Sequence, residues 1–225
     1  MPSFTNLFNT KSCKTGSGIK EFFSKFDSII YDEKMGSFAF SFDYNNFKTG
    51  QNSYKTKWTV YSALERIVYK KELNNNHGGE EAIQPTELII KALREHGETK
   101  ISEGFDLLSI LKKCSAEKDS KNDIHLLKQV FYAFDKSLQM RNSKSGSEID
   151  YIQSPVVNSN EQLFDSRDAN YNNLPKNADA NGAYHIALKG LLLLKERINK
   201  NADKVDLKIS HEDWFKFVQT KEYAK

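Results

Sequence analysis

Apolar and polar positions along the chain follow two periods, and each stretch of constant period predicts an element. Ile19, Phe22, Phe23 and Phe26 share one face of a helix over residues 19 to 26. After Asp27 to Tyr31, Phe38, Phe40 and Phe42 alternate with Ser37, Ala39 and Ser41, the period of a half-buried strand across Gly36 to Asp43. Asp32 to Gly36 supplies the turn, so a β-hairpin is expected here. Lys57 to Ser62 and Leu64 to Lys70, rich in Trp, Val, Tyr and Ile, predict two more strands, although Ala63-Leu64-Glu65 also reads as a helix start. Leu88, Ile89 and Leu93 stripe a helix from Pro85 to Glu95 that stops at Gly97, and Phe105 to Lys112 predicts a short one. Ser120 with Asp123 resembles a capping box opening a long helix, striped by Ile124, Leu127, Phe131, Phe134 and Leu138 and running to about Met140. The turn-forming stretch Asn142 to Ser147 breaks it, which leaves Arg141 as its last residue or the first of a loop. Short apolar pieces around Pro155, within residues 148 to 167, predict an edge strand or a connecting loop. A turn-rich segment from Pro175 then runs into another helical stripe, Ala183, Ala187, Leu191, Leu194 and Ile198, with Ile186 and Leu193 beside it. Val205 to Ile209 reads as a strand, and Ser210 with Asp213 opens a last helix carrying Trp214, Phe217 and Val218. At the other end, residues 1 to 17 read as an extended polar arm anchored by Phe4, Leu7 and Phe8.

Composition narrows the class. With 38% hydrophobic residues, 15 Phe and 10 Tyr, the 225 residues suffice for a real core in one large domain or two small ones. The apolar run Leu191 to Leu194 is cut by Lys189, Lys195 and Glu196, so a membrane span is excluded. The start MPSFTNLFNTKSCK lacks an apolar signal region, and an intracellular, cytoplasmic protein is expected. Net charge is only +3, from 33 basic and 30 acidic residues, which does not by itself select a nucleic-acid partner. Cys13 and Cys114 lie far apart with no CxxC partner, an argument against both a disulfide framework and a zinc site. His77, in the loop-like NNNHGG, is expected to face solvent.

The common catalytic signatures are missing. There is no Gly-rich phosphate loop, no HExxH, no GxSxG and no paired Cys/His set, so nucleotide hydrolysis, dinucleotide redox chemistry and the commonest hydrolase mechanisms find no support. Two residues keep a functional reading. Asp179, where the turn-rich segment becomes a helix, either caps that helix or serves as a metal ligand or catalytic acid. Arg141 either complements the dipole at a helix C-terminus or holds a phosphate through two parallel N–H bonds. Such residues suit metal-assisted phosphodiester cleavage, but one carboxylate is too few for a two-metal site.

Longer motifs carry a resemblance. LQMRNS (138 to 143), EIDYIQSPV (148 to 156), FDSR (164 to 167) and NADANGAYHIALKG (177 to 190) closely resemble the C-terminal end of the type V-A CRISPR-associated RNA-guided DNA endonucleases. FTNLFNTK (4 to 11), FFSKFDSIIYD (22 to 32), FAFSFDYNNF (38 to 47) and KWT (57 to 59) are similar to the same family in the same order, so the likeness spans nearly the whole chain. It implies an α+β fold in two parts, a nuclease lobe at 1 to 176 and the third segment of a ribonuclease-H-like RuvC domain at 177 to 225. By the same resemblance Asp179 would be a catalytic carboxylate binding Mg²⁺, and Arg141 would guide the target DNA strand by its phosphates. Asp150 would be a further acidic residue of the site. The family's other two RuvC carboxylates, one in a DRG-type motif and one a Glu, lie in segments not represented here, as do the regions that hold guide RNA. The expectation is therefore an enzyme with an incomplete site that acts with the missing N-terminal portion, guide RNA and target DNA. A non-catalytic nucleic-acid-binding or complementing module is the alternative, and an unrelated interaction domain a third. In the first two cases the apolar helix after Asp179 would need the missing parts beside it.

Overall fold

A computed structural model describes residues 15–47, 57–70, 79–114, 120–142, 150–158, 160–169 and 174–200, with positions 209, 214 and 217. The N-terminal arm with Phe4, Leu7 and Phe8, Cys13, His77 and nearly all of the 205–209 strand lie outside these residues. Trp214 and Phe217 are helical, as expected of the last helix.

The described residues form an α+β fold of five helices and eight short strands, all pairing antiparallel. Helix α1 (Gly16–Ser24) starts earlier than its apolar stripe implies, because Thr15 caps it by accepting a bond from the Gly18 N–H. Strands β1 (Phe26–Asp32) and β2 (Ser37–Asp43) make the expected hairpin. Its turn ends on Gly36 at φ 57°, a left-handed conformation that glycine adopts without a Cβ clash. Phe26 is thus the first residue of β1 rather than the end of a helix.

Strand β3 (Lys57–Tyr61) completes the first sheet in the order β1-β2-β3. Being central, β2 buries Ser37 and Ala39 as well as Phe38 and Phe40, where the alternation predicted one wet face. Strand β4 (Arg66–Lys70) pairs with β5 (Gly79–Ile83), and Ala63 to Glu65 starts no helix. The charge-rich β5, GEEAI, carried no strand signal of its own and exists by pairing with β4.

Helices α2 (Pro85–His96), α3 (Leu107–Lys113) and α4 (Lys121–Ser137) follow. Proline at the first position opens α2 and Gly97 at φ 110° closes it, while Asp106 caps α3. The capping box of α4 does not form: Ser120 makes no side-chain cap bond, and Asp123 accepts or shares a bond with His96 Nε2 at 2.8 Å. The buried face of α4 is also wider than the predicted stripe. It carries Leu126, Val130, Ala133 and Ser137 beside Leu127, Phe134 and, just past the helix, Leu138 of the stripe, leaving Ile124 and Phe131 only partly covered. His125, off both the stripe and the buried face, is half-exposed and pairs with Glu95 at 3.0 Å.

The core is largely aromatic. The Phe134 ring lies 4.8 Å from Phe40 and 5.1 Å from Phe26, and Phe22 of α1 lies 5.3 Å from Phe26 in an edge-on arrangement. Such offset and T-shaped pairs add to the burial of the rings themselves. Helix α4 ends at Ser137, before the expected Met140, and Arg141 stands beyond it in a two-residue strand, β6 (Arg141–Asn142).

Strand β7 (Tyr151–Val157) lies between β6 and β8 (Leu163–Asp165), so residues 148 to 167 hold a central strand where an edge strand or loop was predicted. Pro155, which has no N–H to donate, is accommodated by a shift in the β7–β8 register between Gln153 and Val157. Finally α5 (Ala178–Lys200) begins at the tip of this sheet, tied to it by an isolated bridge between Tyr151 and Asn177 and by a 2.8 Å bond from the Ala178 N–H to the Asp150 carbonyl. One side of α5 meets Trp214, over whose ring the Lys189 ammonium sits 5.0 Å from the centroid. The predicted apolar stripe is not buried: Ile186 and Ile198 are each 73% exposed and Leu194 58%. Among the described residues no helix is long and apolar enough to cross a membrane.

Candidate functional site

The start of α5 has a cap, and it is Asn177. Its Oδ1 accepts hydrogen bonds from the N–H groups of Asp179 and Ala180, both at 3.0 Å. The capping reading of Asp179 is thereby corrected: an Asx residue two positions upstream already satisfies those donors. Asp179 lies instead in the first helical turn, its side chain 85% exposed. One turn of α5 also anchors inward, where the buried Asn181 donates through Nδ2 to the Pro175 carbonyl at 3.0 Å.

Arg141 reaches this carboxylate from β6. Its Nη2 donates to Asp179 Oδ1 at 2.5 Å, and its Nε lies 3.2 Å from Asp150 Oδ2, just ahead of β7. The three residues singled out by motif thus meet at one place, where β6, the start of β7 and the first turn of α5 converge. Arg141 is a strand residue, so the helix C-terminal dipole no longer accounts for it.

Beneath the cluster is a buried polar layer that holds β6 and β7 in register. Arg66 is fully buried, donating from Nη1 to Gln153 Oε1 at 3.1 Å and from Nη2 to the Ser137 carbonyl at 3.2 Å. Burial pushes this guanidinium down to about 10, while Tyr151 and Asp165 act to raise it, so it stays charged at neutral pH. Asn142, behind Arg141, donates to Gln153 Oε1 at 2.6 Å and accepts from the Ile67 N–H at 3.2 Å. Gln153 in turn donates to Asp165 Oδ2 at 2.8 Å, and Arg167 closes the chain with a 2.7 Å bond to the same oxygen. Burial raises the Asp165 carboxyl, but the Arg167 and Gln153 hydrogen bonds outweigh it and hold the group below the usual range.

Residues 2–168 match a family model described as NUC, nuclease domain. The chain belongs to this nuclease-domain family. Within the matched span, the nuclease domain contributes Arg141, Asp150 and the polar layer under them; Asp179, on α5, lies beyond it.

The exposed group offers two kinds of chemistry. Carboxylate oxygens are hard donors suited to Mg²⁺, and a half-exposed guanidinium suits a phosphate. Burial and the Asp123 carboxylate push the Cys114 thiol up to about 11, which argues against a nucleophile there. Of the supporting residues, Asn177 was legible as an Asx just ahead of a helical stripe. Arg66, Asn142 and Gln153 showed no sequence signal, since their partners lie in other strands.

Proposed function

We infer that this chain is the C-terminal part of an RNA-guided, Mg²⁺-dependent DNA endonuclease of the type V CRISPR class, in which the nuclease domain presents the target strand to a RuvC-like centre partly built by α5. The observation that carries the reading is the meeting of Arg141, Asp150 and Asp179 on an exposed surface of a nuclease-family chain.

Asp179 fits Mg²⁺ by donor type and by exposure, and its helix is capped without it; Oδ1 accepts from Arg141 Nη2 and turns to an ion once Arg141 exchanges it for a phosphate. Bound there with further carboxylates, Mg²⁺ would activate water and stabilise the leaving oxygen. Arg141 holds one phosphate of the target strand by its paired N–H groups, exchanging its carboxylate partners for the incoming anion. Asp150 keeps the guanidinium aimed while no strand is present. Two carboxylates, both engaged by Arg141, do not complete a metal centre, so the remaining ligands come from the other part of the effector. The exposed apolar face of α5 supports such docking, because Ile186, Leu194 and Ile198 form the kind of surface that marks an interaction site.

The test mixes the chain with the complementary N-terminal portion, guide RNA, matching DNA and Mg²⁺. Cleavage is expected only from the full mixture, and Asp179→Ala should lower its rate by at least about a thousandfold, as the loss of several kcal/mol of metal-held charge stabilisation requires. Arg141→Ala should slow cleavage by at least about a hundredfold while changing stability by less than about 1 kcal/mol, because its ion pairs are exposed. Cutting by the chain alone, or full activity in Asp179→Ala, would overturn the reading. A non-catalytic complementing module predicts that Asp179→Ala leaves assembly and cleavage unchanged.

A further inference from the structure

Away from the candidate site, three side chains of metal-ligating type converge where the ends of three helices meet. His96 is the last residue of α2, Cys114 follows α3 as its C-cap, and Asp123 lies in the first turn of α4. One ligand atom from each lies within 4.8 Å of the others. They come together from positions 18 and 9 residues apart along the chain (96 to 114, 114 to 123), a spacing that matches no sequence pattern for zinc and explains why the cysteine count argued against such a site.

An ordinary polar contact does not account for all three. The His96–Asp123 pair at 2.8 Å is a reasonable helix-end ion pair. Yet a thiol also packs into the cluster, and the second imidazole nitrogen, Nδ1, is buried with no hydrogen-bond partner. If Nε2–H donates to Asp123, Nδ1 is an unused lone pair; in the other tautomer it is an unused N–H. Either state leaves a buried polar atom unsatisfied, which carries a cost.

We propose that His96, Cys114 and Asp123 form a binding site for a divalent borderline metal ion, Zn²⁺, with a fourth position open toward solvent. The donor set is one nitrogen, one sulfur and one oxygen, a combination that favours Zn²⁺ over Mg²⁺ or Ca²⁺. Around tetrahedral Zn²⁺ such atoms stand about 3.3 to 3.5 Å apart, given bond lengths near 2.0 Å to N and O and 2.3 Å to S. Binding therefore asks the outermost of these atoms to close by about 1 Å, and an ion taken by His96 Nδ1 would give that nitrogen the partner it lacks. As Zn²⁺ binds, the thiol proton leaves to solvent, and the Zn–S bond takes its place. Thiolate and carboxylate together balance the charge of the ion. His96 and Asp123 are each about one-fifth exposed, which leaves the ion an entry path from solvent. The ion would pin the ends of α2, α3 and α4 together.

The full chain, stripped with a chelator, is titrated with Zn²⁺ against a chromophoric competitor, and separately with Co²⁺ while following the thiolate-to-cobalt charge-transfer band. One equivalent of Zn²⁺ per chain is expected, with the cobalt band present, a thermal midpoint that rises with Zn²⁺, and no displacement by Mg²⁺. His96→Gln and Asp123→Asn should each weaken binding at least about tenfold, and Cys114→Ala should remove the band. Asp150→Asn with Asp179→Asn should leave Zn²⁺ binding unchanged, which separates this site from the candidate nuclease site. Absence of stoichiometric binding, absence of the cobalt band in the unmodified chain, or affinity unaltered in both His96→Gln and Asp123→Asn would overturn the proposal.

Discussion

At the scale of single residues, Asn177 changes what Asp179 can do. A helix start needs an acceptor for its first N–H groups, and when Asn177 supplies it, the neighbouring carboxylate is released from structural duty. Asn177→Ala should therefore destabilise the start of α5 by about 1 kcal/mol, read as faster amide exchange at residues 179 and 180, and Asn177→Asp should largely restore it. The sequence was legible to this depth in kind but not in assignment. Asn and Asp both cap well, and only the hydrogen-bond geometry separates the residue that caps from the one that faces outward. Arg141 is the converse case: its place after a helical stripe suggested the dipole, but α4 ends at Ser137 and the strand pairing Arg141 with Ile152 turns the guanidinium toward two carboxylates.

At the scale of elements, local period predicted the β1–β2 hairpin, α2 and α4, whose apolar residues are dense and well punctuated. It failed where pairing came from afar. Strand β5 is too charged to announce itself, and β7 carries a proline yet is central because the register shift against β8 absorbs it. The buried face of α4 holds Leu127, Phe134 and Leu138 of the expected stripe but is wider, taking in Leu126, Val130 and Ala133 because the helix is packed from more than one side. The β7–β8 pair makes a pH-dependent prediction. Because the Asp165 carboxyl is held below the usual range, its hydrogen bonds contribute fully above about pH 4 and are lost as pH falls through its lowered value. The stability difference between the unmodified chain and Asp165→Asn should shrink as pH falls below about 4 in denaturant titrations. A difference that grows on acidification would contradict the assigned role of Arg167 and Gln153.

At the scale of the whole molecule, the aromatic core fastens α1 and α4 to the first sheet, and Phe134 sits at its middle. Phe134→Ala should cost about 3 to 5 kcal/mol, seen as a lower denaturant midpoint with the slope of the transition unchanged. The matched nuclease domain ends at residue 168, whereas the candidate site continues onto α5, whose apolar outer face stands exposed.

Asp150 spans that boundary. Its carboxylate meets Arg141 of β6, which itself reaches Asp179, while its own carbonyl receives the Ala178 N–H, so one residue holds α5 indirectly through its side chain and directly through its backbone. Side-chain substitution can release only the first grip. An alanine scan will accordingly score Asp150 as a minor residue even if the amide linkage beneath it carries most of the alignment, and replacing the Asp150–Tyr151 peptide bond with an ester, which weakens the acceptor strength of that carbonyl, is the chemical edit that would expose the second.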